Sequence, residues 1–219
     1  MNAQAKVPRQ DNSLEPKPSR SIDRISEVLT IVLLAVMAVL TAWCGFQASK
    51  WGGEMSIAFS NASSARAQSN NAEGTARDAR LYDMSMYTQW VLAEEEGNEK
   101  LRKFVEERFT PEMSVAFEQW EAEGREQRGP LSMDSYVPPG TEEASELSAE
   151  AAEHYQRALD YNQKGDDYSL LTVIFALVLF LTAISQRMIY SVARLGLLAV
   201  ATVVAVGTIV VLVTFPVLI

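Results

Sequence analysis

The sequence predicts an all-α membrane protein with three transmembrane helices and an extramembrane helical bundle between the first and second. Three observations predict it. Residues 28–49, 168–186 and 195–219 contain no Asp, Glu, Lys or Arg, and at about 1.5 Å of rise per residue each can cross a hydrocarbon layer of roughly 30 Å. Between the first two of these stretches, residues 50–167 hold 12 basic and 24 acidic groups, a net of −12. From Ala48 onward, alternating steps of three and four residues trace a helical seam whose central occupants are almost all Ala or Ser.

Charge also orders the elements about the membrane. Residues 1–20 carry Pro8, Pro16 and Pro18 among polar residues and have little to bury, so a disordered cytoplasmic tail is expected. Ser21 or Ser26 can cap the first span, taken as 21–50. Lys6, Arg9, Lys17, Arg20 and Arg24 precede it, and the 187–194 loop holds Arg187 and Arg194 with no acid. Short basic flanks stay on the cytoplasmic side, so the N-terminus and this loop are expected inside, with 51–167 outside. The first apolar stretch is too long for a removable signal peptide, and the bulky Trp43 before Cys44 fits a lipoprotein site poorly. A single cysteine allows no internal disulfide.

The exit from the first span is marked by Trp43, Gly45, Gln47, Trp51, Gly52 and Gly53. The two indoles suit the headgroup region, the glycines permit close approach or a bend, and Gln47 needs a polar partner. Beyond this joint the seam continues through Ala58, Ala62, Ala65, Ser69, Ala72, Ala76 and Ala79, then Asp83, Met86, Trp90 and Ala93. Small seam residues let two helix backbones approach closely, so this face is expected to pack on another helix and to serve as an interaction seam.

Larger residues follow. Tyr82, Met86, Tyr87, Trp90, Val91 and Leu92 supply core mass before the charged break at Glu94-Glu95-Glu96-Gly97. Leu101, Phe104, Val105 and Phe109 share one face of a second helix. Thr110-Pro111-Glu112 starts a third, which buries Met113, Phe117 and Trp120 and stops near Gly124. Residues 124–140 read as an irregular loop pinned by Met133, Tyr136 and Val137. From Thr141, a second seam of Ala144, Leu147, Ala151, His154 or Tyr155, Ala158 and Tyr161 leads to the span at 168–186, with a kink or break allowed at 165–167. Pairing the two seam helices antiparallel is the economical arrangement. In the last span, 195–219, Gly196, Gly207 and many Ala residues favour close contacts.

Several functions lack their residues. There is no phosphate loop, nucleophile elbow or paired zinc-ligand motif, so no enzyme activity and no cofactor are expected. The lone histidine, His154, shares a helix face with Glu150; a seam histidine bonded to a neighbouring carboxylate is the plainer reading than a divalent-metal site. The acidic middle excludes nucleic acid as a partner. Spans without ionisable residues argue against a proton pump. Trp43-x-Gly-Phe-Gln47-Ala48-x-x-Trp51-x-Gly53, the Ala/Asn-rich helix, Arg108-Phe109-x-Pro111-Glu112 and the span starting at Asp167-Tyr168 resemble a group of small bacterial three-span membrane proteins with no established activity. That resemblance implies the same layout and transfers no site residues. The expectation is a non-enzymatic protein of the bacterial inner membrane, in contact with the bilayer, that self-associates or binds another envelope protein. The alternative is an oligomeric cation channel with an acidic vestibule, lined by Thr30, Thr41, Thr172, Thr182 and Ser185.

Overall fold

A computed structural model of the chain describes residues 20–218; the tail expected at 1–20 lies outside them except for Arg20. The protein is all-helical, with no strand among the described residues. Its helices are α1 (Arg20–Glu95), α2 (Glu99–Glu106), α3 (Pro111–Ala122), α4 (Thr141–Ser185) and α5 (Ser191–Val213), with a short 3-10 turn at Pro130–Ser132. Two compact units divide the described residues, one formed by those up to Trp51 and from Lys164 onward and the other by Gly52–Gln163.

In the first unit α1, α4 and α5 are each long and apolar enough to cross a membrane. Their buried positions hold large apolar side chains, among them Leu33, Met37, Tyr168, Leu171, Phe175 and Val178, together with several polar ones. Val28, Ile31, Val39, Leu170, Val173, Phe180, Val203 and Val210 are exposed, whereas Thr30, Cys44, Gln47, Thr182, Ser185 and Thr208 are buried. Lipid is as apolar as leucine, so many large aliphatic side chains can face outward while small and polar ones join the apolar contacts between helices. The hydroxyls cost little inside because each answers its own helix. Thr30 donates to the Ser26 carbonyl, Thr41 to Met37, Thr172 to Tyr168, Thr182 to Val178 and Ser185 to Thr182, all at 2.7–3.0 Å. The channel alternative needs these same hydroxyls along a pore.

Several local expectations are corrected. Helix α1 begins at Arg20, so neither Ser21 nor Ser26 is its cap; Ser26 is buried within the helix. Helix α4 crosses 165–167 unbroken. Helix α5 covers Ser191–Val213 and not 195–219, because the residue before Pro216 is steered away from helical angles. Gly196 and Gly207 face open space, and the close contacts fall to Ala201 and Ala205.

In the second unit the α1 and α4 segments run antiparallel. Phe59 meets Tyr155 edge-on at 5.6 Å between ring centroids, Arg66 donates to Ser148 at 3.1 Å, and Ser69 donates to the Ala144 carbonyl at 2.9 Å. The partner numbers fall as the α1 numbers rise. At the end of this series, a Cβ on Gly140 would stand 2.6 Å from the Ala72 carbonyl oxygen. Gly140 also holds φ at +90°, a region that side chains disfavour.

Beyond that contact lies an aromatic core of Trp90, Val105, Met113, Ala116, Phe117, Trp120, Met133 and Tyr136. Trp90 is its hub, in edge-on contact with Phe117 at 5.0 Å and Trp120 at 6.2 Å and stacked on Tyr87. Asn98 caps α2 through Leu101 N–H, and Thr110 caps α3 through Met113 N–H with Pro111 in the first turn. Five residues assigned to the core on pattern are exposed instead: Tyr82, Val91, Leu92, Phe104 and Val137. Phe104 carries the Arg108 guanidinium over its ring at 3.4 Å, which shields it without burying it.

Gly140→Ala combines a forbidden backbone angle with a clash against main chain. It is expected to destabilise the protein by about 2–3 kcal/mol, read as a lowered unfolding midpoint by circular dichroism in detergent; an unchanged midpoint would show that the α1–α4 contact is looser than described.

Candidate functional site

The small-residue seam is an inner face of the chain. Ala58, Ala62, Ala65, Ser69 and Ala72 are buried and Ala76 and Ala79 half-buried. The Ser69 hydroxyl reaches a carbonyl of α4, and Ala65 lines a small cavity of about 280 Å³ with Leu147, Glu150 and His154 of that helix. A face already covered by α4 is not open to a second protein, so association through this seam would first require the two helices to part. On α4 the inward position is His154, not Tyr155, which is exposed against Phe59. His154 Nε2 stands 3.5 Å from Glu150 Oε1, a contact between successive turns. Among the described residues no group of three metal-ligating side chains gathers, here or elsewhere.

The membrane-exit residues divide by helix face. Gln47 and Trp51 are buried, while Trp43 is exposed against Phe46. Gly45, Gly52 and Gly53 lie within unbroken helix, and a Cβ on any of them would meet nothing within 4 Å. Close approach is therefore not why these positions are glycine. Gln47 has a specific role: its Nε2 donates to the Leu218 carbonyl and its Oε1 accepts from Leu218 N–H, both at 3.0 Å. The Tyr168 hydroxyl donates to the Pro216 carbonyl at 3.0 Å, and its ring meets Phe215 edge-on. Three helices thus share one polar clasp, because the turn after α5 brings backbone groups released at Pro216 within reach of α1 and α4. Lys164 Nζ lies 4.8 Å from the centre of the Trp51 ring, a cation–π contact in the same unit.

A third constellation escapes sequence reasoning. Asp83 is fully buried, and its carboxylate accepts from the Thr110 hydroxyl at 2.8 and 3.0 Å and from the Tyr136 hydroxyl at 2.8 Å. Thr110 also accepts from Met113 N–H. One carboxylate therefore joins α1, the start of α3 and the loop before α4. The signal in the sequence was a lone acid on the seam between Ala79 and Met86; its partners, 27 and 53 residues away, carry no spacing that would announce them. With both oxygens engaged and no exposure, this node fits a tether rather than an acid–base catalyst.

Three turns further along α1, Glu94 bridges Arg102 at 2.7 Å and Arg125 at 3.3 Å. The hydrogen bond from Arg102, ahead of that from Arg125, holds the Glu94 carboxyl below its ordinary range. Arg125 has a left-handed φ of +62° and lies 5.1 Å from the Trp90 ring centre and 5.2 Å from that of Trp120. Packing and charge together offset that uncommon backbone angle. The chain matches no protein-family model, no curated protein and no solved structure.

Burial, then the bond and charge of Asp83, push the Tyr136 phenol above its ordinary value, with Arg80 pulling weakly the other way. The folded protein therefore keeps this proton to higher pH than the unfolded chain. The resulting stability is whole below about pH 10 and is lost as pH rises from there through the raised folded value. Tyr136→Phe is expected to cost about 1–2 kcal/mol at neutral pH and to flatten the loss of stability above pH 10. Denaturant unfolding from pH 7 to 11 measures both; a variant with the parent's alkaline slope would refute the assignment.

Proposed function

We propose that this chain is a non-enzymatic, multi-pass protein of a bacterial cytoplasmic membrane, and that its acidic middle unit is an extracytoplasmic helical domain that associates with a second copy or another envelope protein. It would share that layout with the three-span group its exit element resembles. The orientation rests on charge: Arg187 between α4 and α5 and Arg194 in the first turn of α5, with the basic groups before the first span, favour the inside, and the net −12 of residues 50–167 agrees with the outside.

The observation that carries the binding role is an unburied apolar stripe. Leu81 and Leu92 lie on α1 opposite Asp83 and Trp90, with Met84 and Val91 on the adjoining flank, and the four are 36–56% exposed. Two buried seams already engage each other inside the unit, so the stripe is where association is expected. An aliphatic face that the fold leaves in water gains by being covered, at about 25 cal/mol per Å² of apolar surface.

Two measurements test this. An Asp134→Cys reporter in a Cys44→Ala background should react with a membrane-impermeant maleimide in intact spheroplasts; labelling only after permeabilisation would reverse the orientation. Leu81→Glu with Leu92→Glu should abolish cross-linking between Met84→Cys chains, or to a neighbouring envelope protein, while changing stability by no more than about 0.5 kcal/mol per site. Cross-linking that survives the two charges would exclude the stripe.

A further inference from the structure

We propose that the Ser26 end of the three-span unit holds the headgroup of a zwitterionic glycerophospholipid, its phosphodiester on Arg194 and its primary ammonium on Glu27. A cleft of about 490 Å³ opens there between Glu27, Thr30 and Ile31 of α1, Gln186 after α4, and Arg194 of α5. These residues bracket the charge-free stretches: Glu27 directly precedes residue 28, Gln186 ends the second stretch, and Arg194 precedes the third. The cleft therefore sits where hydrocarbon gives way to headgroups, whichever side of the membrane it faces.

Its chemistry is specific. The Arg194 guanidinium donates one bond, from Nη2 to the Ser26 hydroxyl at 3.0 Å, and pairs with no carboxylate among the described residues. It is thereby fixed in place with most of its N–H donors unspent, and its planar fork matches phosphate oxygens. The Thr30 hydroxyl is committed to its own helix, so Gln186 is the cleft's other available donor. Glu27 opens on the same space and forms no ion pair with a described cation.

A guanidinium and a carboxylate that share a cleft without pairing suit a ligand that itself carries both charges. The phosphate and ammonium of an ethanolamine phosphodiester are such a pair, two carbons apart. A purely anionic headgroup would answer Arg194 but be repelled by Glu27, and a trimethylated ammonium has no proton to donate to the carboxylate. Ile31 of the cleft wall is exposed, as are Val28, Ile189 and Val192 within three residues of its lining in sequence, apolar surface for acyl chains that a soluble phosphate ester lacks.

The test is native mass spectrometry of the full chain in detergent, titrated with phosphatidylethanolamine, phosphatidylglycerol and phosphatidylcholine of matched acyl chains. The parent should hold phosphatidylethanolamine about tenfold more tightly than either other lipid, the scale of one charge-assisted hydrogen bond. Glu27→Gln, at an exposed position, should remove that preference, and Arg194→Gln should weaken all three. Equal binding of the three lipids by the parent, or an unchanged preference in Glu27→Gln, overturns the proposal. Displacement of the lipid by equimolar soluble phosphoethanolamine also overturns it, since the site would then serve a free ester.

Discussion

Close approach of α1 to α4 is the constraint on which the middle unit depends. Alanine and serine on one helix face leave no bulk between backbones, and the series Phe59–Tyr155, Arg66–Ser148, Ser69–Ala144 and Ala72–Gly140 tightens until a missing methyl group decides the register. Larger seam residues would bury more apolar area, at about 0.8 kcal/mol per methylene, yet they would hold the helices apart and leave the Ser69 hydroxyl short of the Ala144 carbonyl. Proximity is what lets the aromatic core form beyond the seam, because the loop that delivers Met133 and Tyr136 to it ends at Gly140, against the Ala72 carbonyl.

The three-span unit solves a different problem. Without a hydrophobic gradient between helix interior and lipid, apolar mass gains little by turning inward, and Thr30, Cys44, Gln47, Thr182, Ser185, Ala201 and Ala205 take buried positions beside Met37, Tyr168, Phe175 and Val178. Hydroxyls satisfied by their own helix carbonyls are neutral occupants of such positions. Gln47 is not neutral, since an amide cannot close both its bonds on its own turn, and so it recruits the Leu218 peptide. The clasp closes only if α5 ends early, which Pro216 ensures.

What was legible in the sequence follows from range. Spans without charge are local, and the seam from Ala58 to Ala79 is a spacing within one helix, so both could be read directly. Thr110-Pro111-Glu112 is likewise a local cap. Val91, Leu92 and Phe104 were misassigned because apolar character does not reveal which side of a helix finds a partner; only the aromatic cluster around Trp90 decides that. Pro216 did carry the signal for where α5 ends. The glycines of the exit element misled in the other direction: Gly45, Gly52 and Gly53 suggested close contacts, and the space around them is open. The partners of Gln47 and Asp83 lie in distant segments, which spacing along a helix does not identify.

Gln47 and Asp83 play the same part in different surroundings. Each is a fully buried polar side chain on α1, and each binds a segment remote in sequence: Leu218 for the amide, Thr110 and Tyr136 for the carboxylate. The net gain from a hydrogen bond exchanged with water is about 1 kcal/mol, whereas leaving such a group buried and unpaired costs about 1–3 kcal/mol and more for a charge. Their influence therefore falls more heavily on alternative arrangements than on the native one. A slipped loop or an overlong α5 would strand an amide or a carboxylate, and that penalty selects one register from several that apolar packing alone would tolerate. Both groups are consumed in this way, and what the fold leaves unsatisfied lies elsewhere: the exposed aliphatic side chains from Leu81 to Leu92, and the charges of Glu27 and Arg194, on which the two proposed contacts rest.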